Sequence, residues 1–276
     1  FTDAWHPGII NLKYMSGLLG VPVTIHALWH AGSYDPNDFL GRLIGDAPWV
    51  RHAEKAFYEA ADHNYFATRF HIDMFATNLY DATGNREFWA DQQLLKRKTV
   101  RSGWPMGYLS ETLKAYRDLP KQDLILFPHR LAPEKQVEIF RDLADSMPEY
   151  KWVVCQDQRL TKQEYHTLLG QSKVVFSANL QETLGISCYE ALCVNSMPLV
   201  PDRLSYTEMY LPASKYPSEW TSSWKDYVAH KHELMDLIHY NMHTHGSVAQ
   251  KDVIVRQQEF LEKNFFTANA LLDNLH

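Results

Sequence analysis

No run of about 18 consecutive apolar residues occurs in the chain, so nothing in it reads as a membrane-spanning helix. No secretory leader is visible either, although the chain opens at Phe1 rather than methionine and its start is expected to lie upstream. Cysteine is scarce: Cys155, Cys188 and Cys193 all stand in apolar surroundings. That excludes a disulfide scaffold and reads as core thiols in a reducing, cytoplasmic compartment. Positive charge is not in excess, with 27 Lys and Arg against 33 Asp and Glu and a net charge of -6. The chain as a whole therefore does not attract nucleic acid, which leaves only a local basic patch as a route to a polyanion. There is no internal repeat and no low-complexity segment. What is present is 276 residues at 45% apolar content, enough for the cores of one large domain or two ordinary ones.

The densest information lies between Ser172 and Glu208. Lys173 to Ser177 is an apolar run, Ala178 to Gly185 a polar loop and Ile186 to Asn195 a helix-like segment; Met197 to Pro201 then makes a second short strand. Strand, loop, helix and strand at this spacing form one unit of a parallel sheet, whose ligands sit at the carboxyl ends of the strands. Glu182 falls in the loop and Glu190 inside the helix. The helix is apolar on nearly every side, so Glu190 must have a partner, since burying a lone charge costs several kcal/mol or more. The partner is a hydroxyl-bearing ligand or a protein cation, the latter making an internal ion pair.

The first hundred residues read as part of an α/β domain. Ile9 to Leu19 has helical spacing ending at Gly20, and Val21 to Leu28 reads as a buried strand. The following loop, Trp29 to Asp38, carries His30, Gly32, Tyr34 and Asp35. His26 and His30 are four apart, but in strand geometry the rings stand on the order of 13 Å from each other, too far for one metal. His26 reads as a structural histidine, while His30 is the better ligand-facing donor. Helices are expected at Trp49 to Ala61 and from about Arg69, with a strand at Tyr65 to Ala67 and a loop from Asp81 to Asp91. Lys96, Arg97, Lys98 and Arg101 form the one dense basic cluster, which by itself reads as a solvated face.

Gly103 to Gly107 is the best domain boundary. Beyond it, Asp123 to Pro128 opens a second sheet, followed by Arg130 and a helix with Pro133 and Lys135 in its first turn. Two cations beside a helix N-terminus suit an anion such as a diphosphate. Further strands are expected at Trp152 to Cys155 and Val174 to Phe176, with a helix at Lys162 to Leu169 between them. Helices at Glu233 to Tyr240 and Val253 to Leu272 close the chain. The organisation is then a first domain over 1–102, a second over 103–245 and a terminal helix over 246–276 packing back on the first.

The second half resembles the retaining nucleotide-sugar glycosyltransferases of the GT-B fold, an α/β architecture of two Rossmann-like domains facing across a cleft. The residues that carry the likeness are Arg130 with Lys135, the two glutamates of Gln181 to Ala191, and Ser196 to Val200. The likeness is good over Asp123 to Glu208 and looser over Pro22 to Leu79. It implies that Arg130 and Lys135 hold the donor diphosphate and stabilise the departing nucleotide. Glu182 would contact the donor sugar, the backbone amides of Thr183, Leu184 and Gly185 would lie near the phosphates, and Glu190 would bind the ribose. His30, or failing that His26, matches the histidine that approaches the sugar. The co-substrate would be a UDP- or GDP-sugar, with no metal and no further cofactor. The strand and glycine-rich loop that open such folds are missing before Phe1, so the first domain is expected to be N-terminally incomplete.

The loop around Tyr34 and Asp35 and the opening Asp3 to Gly8 are also similar to stretches of phage-type glycosyltransferases, some of which modify hydroxymethylated bases in DNA. Tyr34, Asp35 and His26 are thus acceptor-side candidates, and the acceptor is either a saccharide, lipid-linked or free, or modified DNA. The DNA reading would use Lys96, Arg97, Lys98 and Arg101 on phosphates. A different class of reading is a non-catalytic nucleotide- or sugar-binding module of the same fold.

Overall fold

The computed structural model describes residues 1–45, 47–80 and 97–274. These fall into two compact units, Phe1–Pro105 with Thr267–His276 and Met106–Phe266, so the chain divides inside the Gly103 to Gly107 stretch. The expected loop at Asp81 to Asp91, and Lys96 of the basic cluster, lie outside the described residues. Among those residues no helix is long and apolar enough to cross a membrane.

The first unit is a parallel sheet in the order β1 (His26–Trp29), β2 (His63–Phe66), β3 (Thr99–Arg101), with helices Gly8–Leu19, Phe39–Ile44, Pro48–Ala60 and Arg69–Tyr80. Gly20 ends the first helix in the left-handed conformation, φ 67, that glycine adopts without a steric penalty. The strand expected from Val21 forms only from His26, because its partner begins at His63. Trp29 organises the core: it lies parallel to Phe66, meets Phe75 edge-on, and donates its indole N–H to Asn64 Oδ1 at 2.8 Å.

The second unit has five parallel strands, β4 (Leu124–Phe127), β5 (Lys151–Val154), β6 (Val174–Phe176), β7 (Met197–Pro201) and β8 (Lys215–Tyr216), in the order β5-β4-β6-β7-β8. β4, β6 and β7 are buried at every residue, which is why they read as unbroken apolar runs rather than as alternation. Helix Lys162–Gln171 starts at a capping box between Thr161 and Glu164. From β4 the chain moves to one side of the sheet and from β5 it returns to the other. This order therefore reverses direction between β4 and β6, and a crevice opens at their carboxyl ends.

The expected terminal helix is corrected by the structure. It is two helices, Val248–Asn264 and Asn269–Leu272; the longer packs on the second unit, and the shorter falls with the first, as expected of the chain's end. Polar contacts fix it there: Gln257 donates to the Met209 carbonyl at 2.7 Å and accepts from the Leu211 amide, while Glu262 accepts from the Tyr189 hydroxyl. Tyr189 also lies parallel to Phe266, with ring centroids 3.9 Å apart.

Candidate active site

The loops that leave β4 and β6 meet at the crevice. After β4 the chain makes a short 3-10 turn over Pro133–Lys135, passes through Gln136 in the left-handed region (φ 51), and begins its helix at Val137. Lys135 therefore precedes the helix instead of lying in its first turn, because Gln136 breaks the helical path. Gln136 pins the turn by donating to the carbonyls of Ala178 and Thr221. Lys135 is buried, donates to the Gln181 carbonyl at 2.5 Å, and places Nζ 3.5 Å from Glu182 Oε2. Residues 46 and 47 positions apart in sequence thus share one charge centre.

Glu182 is held in place from several directions. The amides of Thr183 and Leu184 donate to Oε1 at 3.1 and 3.3 Å, and Asn179 donates to Oε2 at 3.3 Å. Burial by itself would raise its pKa. The Lys135 charge and the amides of Gly185 and Leu184 outweigh that and leave the carboxyl below its ordinary value. Its side chain keeps 19% of its surface open, so the ionised group remains accessible. Gly185 turns the chain into the helix Ile186–Cys193 with φ 73, and a Cβ there would stand 2.8 Å from the Tyr206 ring. The helix has no side-chain cap, so its first amides point at the loop with the positive end of the helix dipole behind them.

Arg130 is half exposed and donates from Nε and Nη2 to Glu134 Oε1 at 3.1 and 2.6 Å. Glu134 is buried, and its backbone carbonyl accepts the Leu180 amide at 2.7 Å, tying the β4 loop to the β6 loop. His129 completes the cluster. Burial pushes its pKa down to about 3, helped by the Lys135 charge, so the ring is neutral. Sequence reasoning assigned neither Glu134 nor His129. Their signal was position alone, within a few residues of the end of an apolar strand.

Glu190 lies farther along the helix, where Tyr165 donates its hydroxyl to Oε2 at 2.8 Å. Burial raises its pKa, offset in part by that bond and by Lys162. A protein hydroxyl is therefore the partner its position requires, and no cation forms an ion pair with it among the described residues.

The first-unit candidates separate. Tyr34 is a core residue whose hydroxyl bonds the buried His71 ring at 2.7 Å, so it faces inward rather than toward an acceptor. Asp35 is buried and turns its own loop by accepting the Asn37 amide. His26 stands at the amino end of β1, away from the edge where parallel sheets bind ligands, bonded to the Tyr65 hydroxyl and stacked on His63. His30 comes directly after the carboxyl end of β1, bonded to the Thr2 carbonyl and edge-on to Trp104. In the basic cluster, Lys98 donates to the Glu59 carbonyl, and Arg97 and Arg101 are exposed.

The comparisons first define a class of fold. The chain has the α/β fold of GT-B glycosyltransferases, with parallel sheets. It aligns with HepE from Anabaena, solved with UDP and glucose, at 13% identity over 97% of this chain and 74% of that one, with a TM-score of 0.59. A glycosyltransferase from Rickettsia africae aligns at 11% identity over 100% of this chain and 82% of its own, TM-score 0.57. A UDP-forming α,α-trehalose-phosphate synthase from Burkholderia xenovorans aligns at 11% over 95% and 70%, TM-score 0.56. No family model and no curated protein matches the sequence.

Proposed function

We propose that the protein is a glycosyltransferase that moves a sugar from a nucleotide-sugar donor to a hydroxyl acceptor with retention at the anomeric carbon. The observation that carries this reading is the Lys135–Glu182 pair at the point where the strand order reverses, beside an uncapped helix N-terminus. The first amides of helix Ile186–Cys193 suit the donor phosphates. Lys135, with Arg130 at the rim, offsets the charge that grows on the departing nucleotide. Glu182, ionised and partly open, accepts hydrogen bonds from sugar hydroxyls, and Glu190 with Tyr165 offers an acceptor and a hydroxyl to the ribose. UDP-sugars are the first donors to try, because HepE was solved with UDP, and GDP-sugars the second. The acceptor is a hydroxyl of a saccharide or of a hydroxymethylated base.

The test is release of nucleotide from UDP- and GDP-sugars, with and without saccharide and modified-DNA acceptors, followed by product mass and anomeric NMR. Transfer with retained configuration supports the proposal. Tight nucleotide binding without release from any donor favours the non-catalytic module. Glu190→Ala is expected to weaken nucleotide binding, whereas Glu182→Ala leaves it intact and abolishes transfer; equal nucleotide binding in both variants would remove the assigned roles.

A further inference from the structure

The sheet of the second unit has an opposite edge, at the amino ends of its strands, and a second cavity lies there. It encloses about 540 Å³, within the ~300–1,000 Å³ range typical of small-molecule sites. Lys121 precedes β4, Lys173 precedes β6 and Asn195 precedes β7, so this cavity and the Lys135–Glu182 pair stand at opposite ends of the same strands. A strand of three to five residues separates them by on the order of 10–16 Å.

The lining is strongly cationic. Arg117, Lys121, Lys173 and Lys251 face the cavity, against Asp118 alone among acids. Lys173 is paired with Asp123 at 2.6 Å. Arg117 instead donates to the Cys193 carbonyl and to Gln258, and Lys121 to the carbonyls of Ser172 and Val194 and to Ser196 Oγ. Among the described residues no carboxylate forms an ion pair with Arg117, Lys121 or Lys251. Lys121 has three acceptors for its protons, and burial lowers its pKa to about 7, so it offers the cavity no further bond and leaves the binding to its neighbours.

Two further observations show the charges converging. His245, whose Nε2 bonds the Asn195 carbonyl at 3.0 Å, has its pKa pushed down to about 4, chiefly by burial and further by Lys121, Lys173 and Lys251 together. Gly246 leads into helix Val248–Asn264, which Ser247 caps by accepting the Gln250 amide and whose first turn carries no acid and ends at Lys251, so its positive end faces no carboxylate of that turn. The rest of the wall is apolar, with Leu119, Ile254 and Val255.

We infer that this cavity is a second ligand site, distinct from the donor site, which takes a phosphate monoester: the dianion among Arg117, Lys173 and Lys251, its organic body against Leu119 and Ile254. Such a ligand supplies the anionic partner that Arg117 and Lys251 lack among the described residues, with Lys173, already paired with Asp123, adding its charge, and the cavity is larger than inorganic phosphate alone requires.

The probes are phenyl phosphate, inorganic phosphate and phenol, titrated by calorimetry at matched ionic strength while the His245 imidazole is followed by NMR. Phenyl phosphate is expected to bind more tightly than phosphate or phenol and to shift the His245 resonances. Lys251 is exposed, so Lys251→Glu keeps the fold, and phenyl phosphate should bind it roughly tenfold more weakly or worse, the scale of one charge-assisted contact. UDP binding in that variant should be unchanged. Lys135→Ala should bind phenyl phosphate as the parent does. Loss of binding in Lys135→Ala with retention in Lys251→Glu would move the anion to the other edge of the sheet and overturn the inference. Absence of binding, binding that ignores both substitutions, or binding that leaves His245 unmoved would overturn it equally.

Discussion

A buried glutamate in the first unit and a half-buried one in the second receive opposite treatment. Glu54 has no exposed surface and accepts three hydrogen bonds, from the Ser33 amide at 2.6 Å, the Ser33 hydroxyl at 2.7 Å and the Trp5 indole at 3.0 Å. Burial raises its pKa, and those bonds with the Arg51 charge do not fully offset it. Glu182 has a lysine, backbone amides and an open side, and its pKa falls. A carboxylate closed in by donors from its own neighbourhood holds a loop; one kept ionised at a strand-order reversal with surface to spare has capacity left for a ligand. The same contrast separates Tyr34, engaged by His71 in the core, and Asp35, engaged by its own loop, from Lys135.

The strongest way to break the comparison is Lys135→Met. Removing the lysine that pairs with Glu182 should lower sugar transfer about 10²–10³-fold, as loss of a charge-stabilising donor does elsewhere, while Glu54→Gln leaves the rate within a few-fold. Steady-state nucleotide release measures both, and a nearly unchanged rate in Lys135→Met would refute the active-site assignment. Stability should rank the other way. Glu54→Leu strands the donors of Ser33 and Trp5 and should cost about 3 kcal/mol in urea unfolding, with Glu54→Gln costing about 1 kcal/mol. Gly185→Ala should cost about 1–2 kcal/mol from the left-handed backbone alone, more if the Tyr206 ring cannot move.

The pH dependence sharpens the contrast further. The lowered pKa of Glu182 adds stability above the ordinary value of 4.5, which is lost as pH falls through its folded value; Glu182→Gln should remove that loss. The raised pKa of Glu54 has the opposite sign, withdrawing stability as pH rises from 4.5 through its folded value, and Glu54→Gln should remove that decline. Unfolding free energies for the variants at a series of pH values would expose two curves of the same slope as the error in this reading. The smallest effect is expected from Tyr165→Phe, which takes one donor from Glu190 and should weaken nucleotide binding by about 0.5–1.5 kcal/mol.

Much of the second unit was legible beforehand. Val174–Phe176 and Met197–Pro201 have the bounds their apolar runs suggested, because fully buried parallel strands leave no polar face to blur the pattern. Lys135 and Glu182 stood out as charges in the loops after such strands. The left-handed Gln136 did not, since a non-glycine residue at positive φ is held there by distant bonds, here to Ala178 and Thr221. Part of the first unit misled for a related reason: polar loop residues look like ligand donors until their partners are known, and His71 and the Asn37 amide engage Tyr34 and Asp35, while His26, bonded to Tyr65, fits the structural role read for it first.

Local order alone was enough for the alternation of strands and helices, the reduced cysteines of the core and the need of Glu190 for a partner. These follow from periodicity, composition and the penalty for burying charge, all properties of neighbouring residues. Only the folded chain decided that Tyr165 is that partner, that Glu134 links the two site loops and that three lysines gather around His245. Each is a meeting of residues far apart in sequence, and a meeting of that kind is set by strand order and register, which no local pattern encodes.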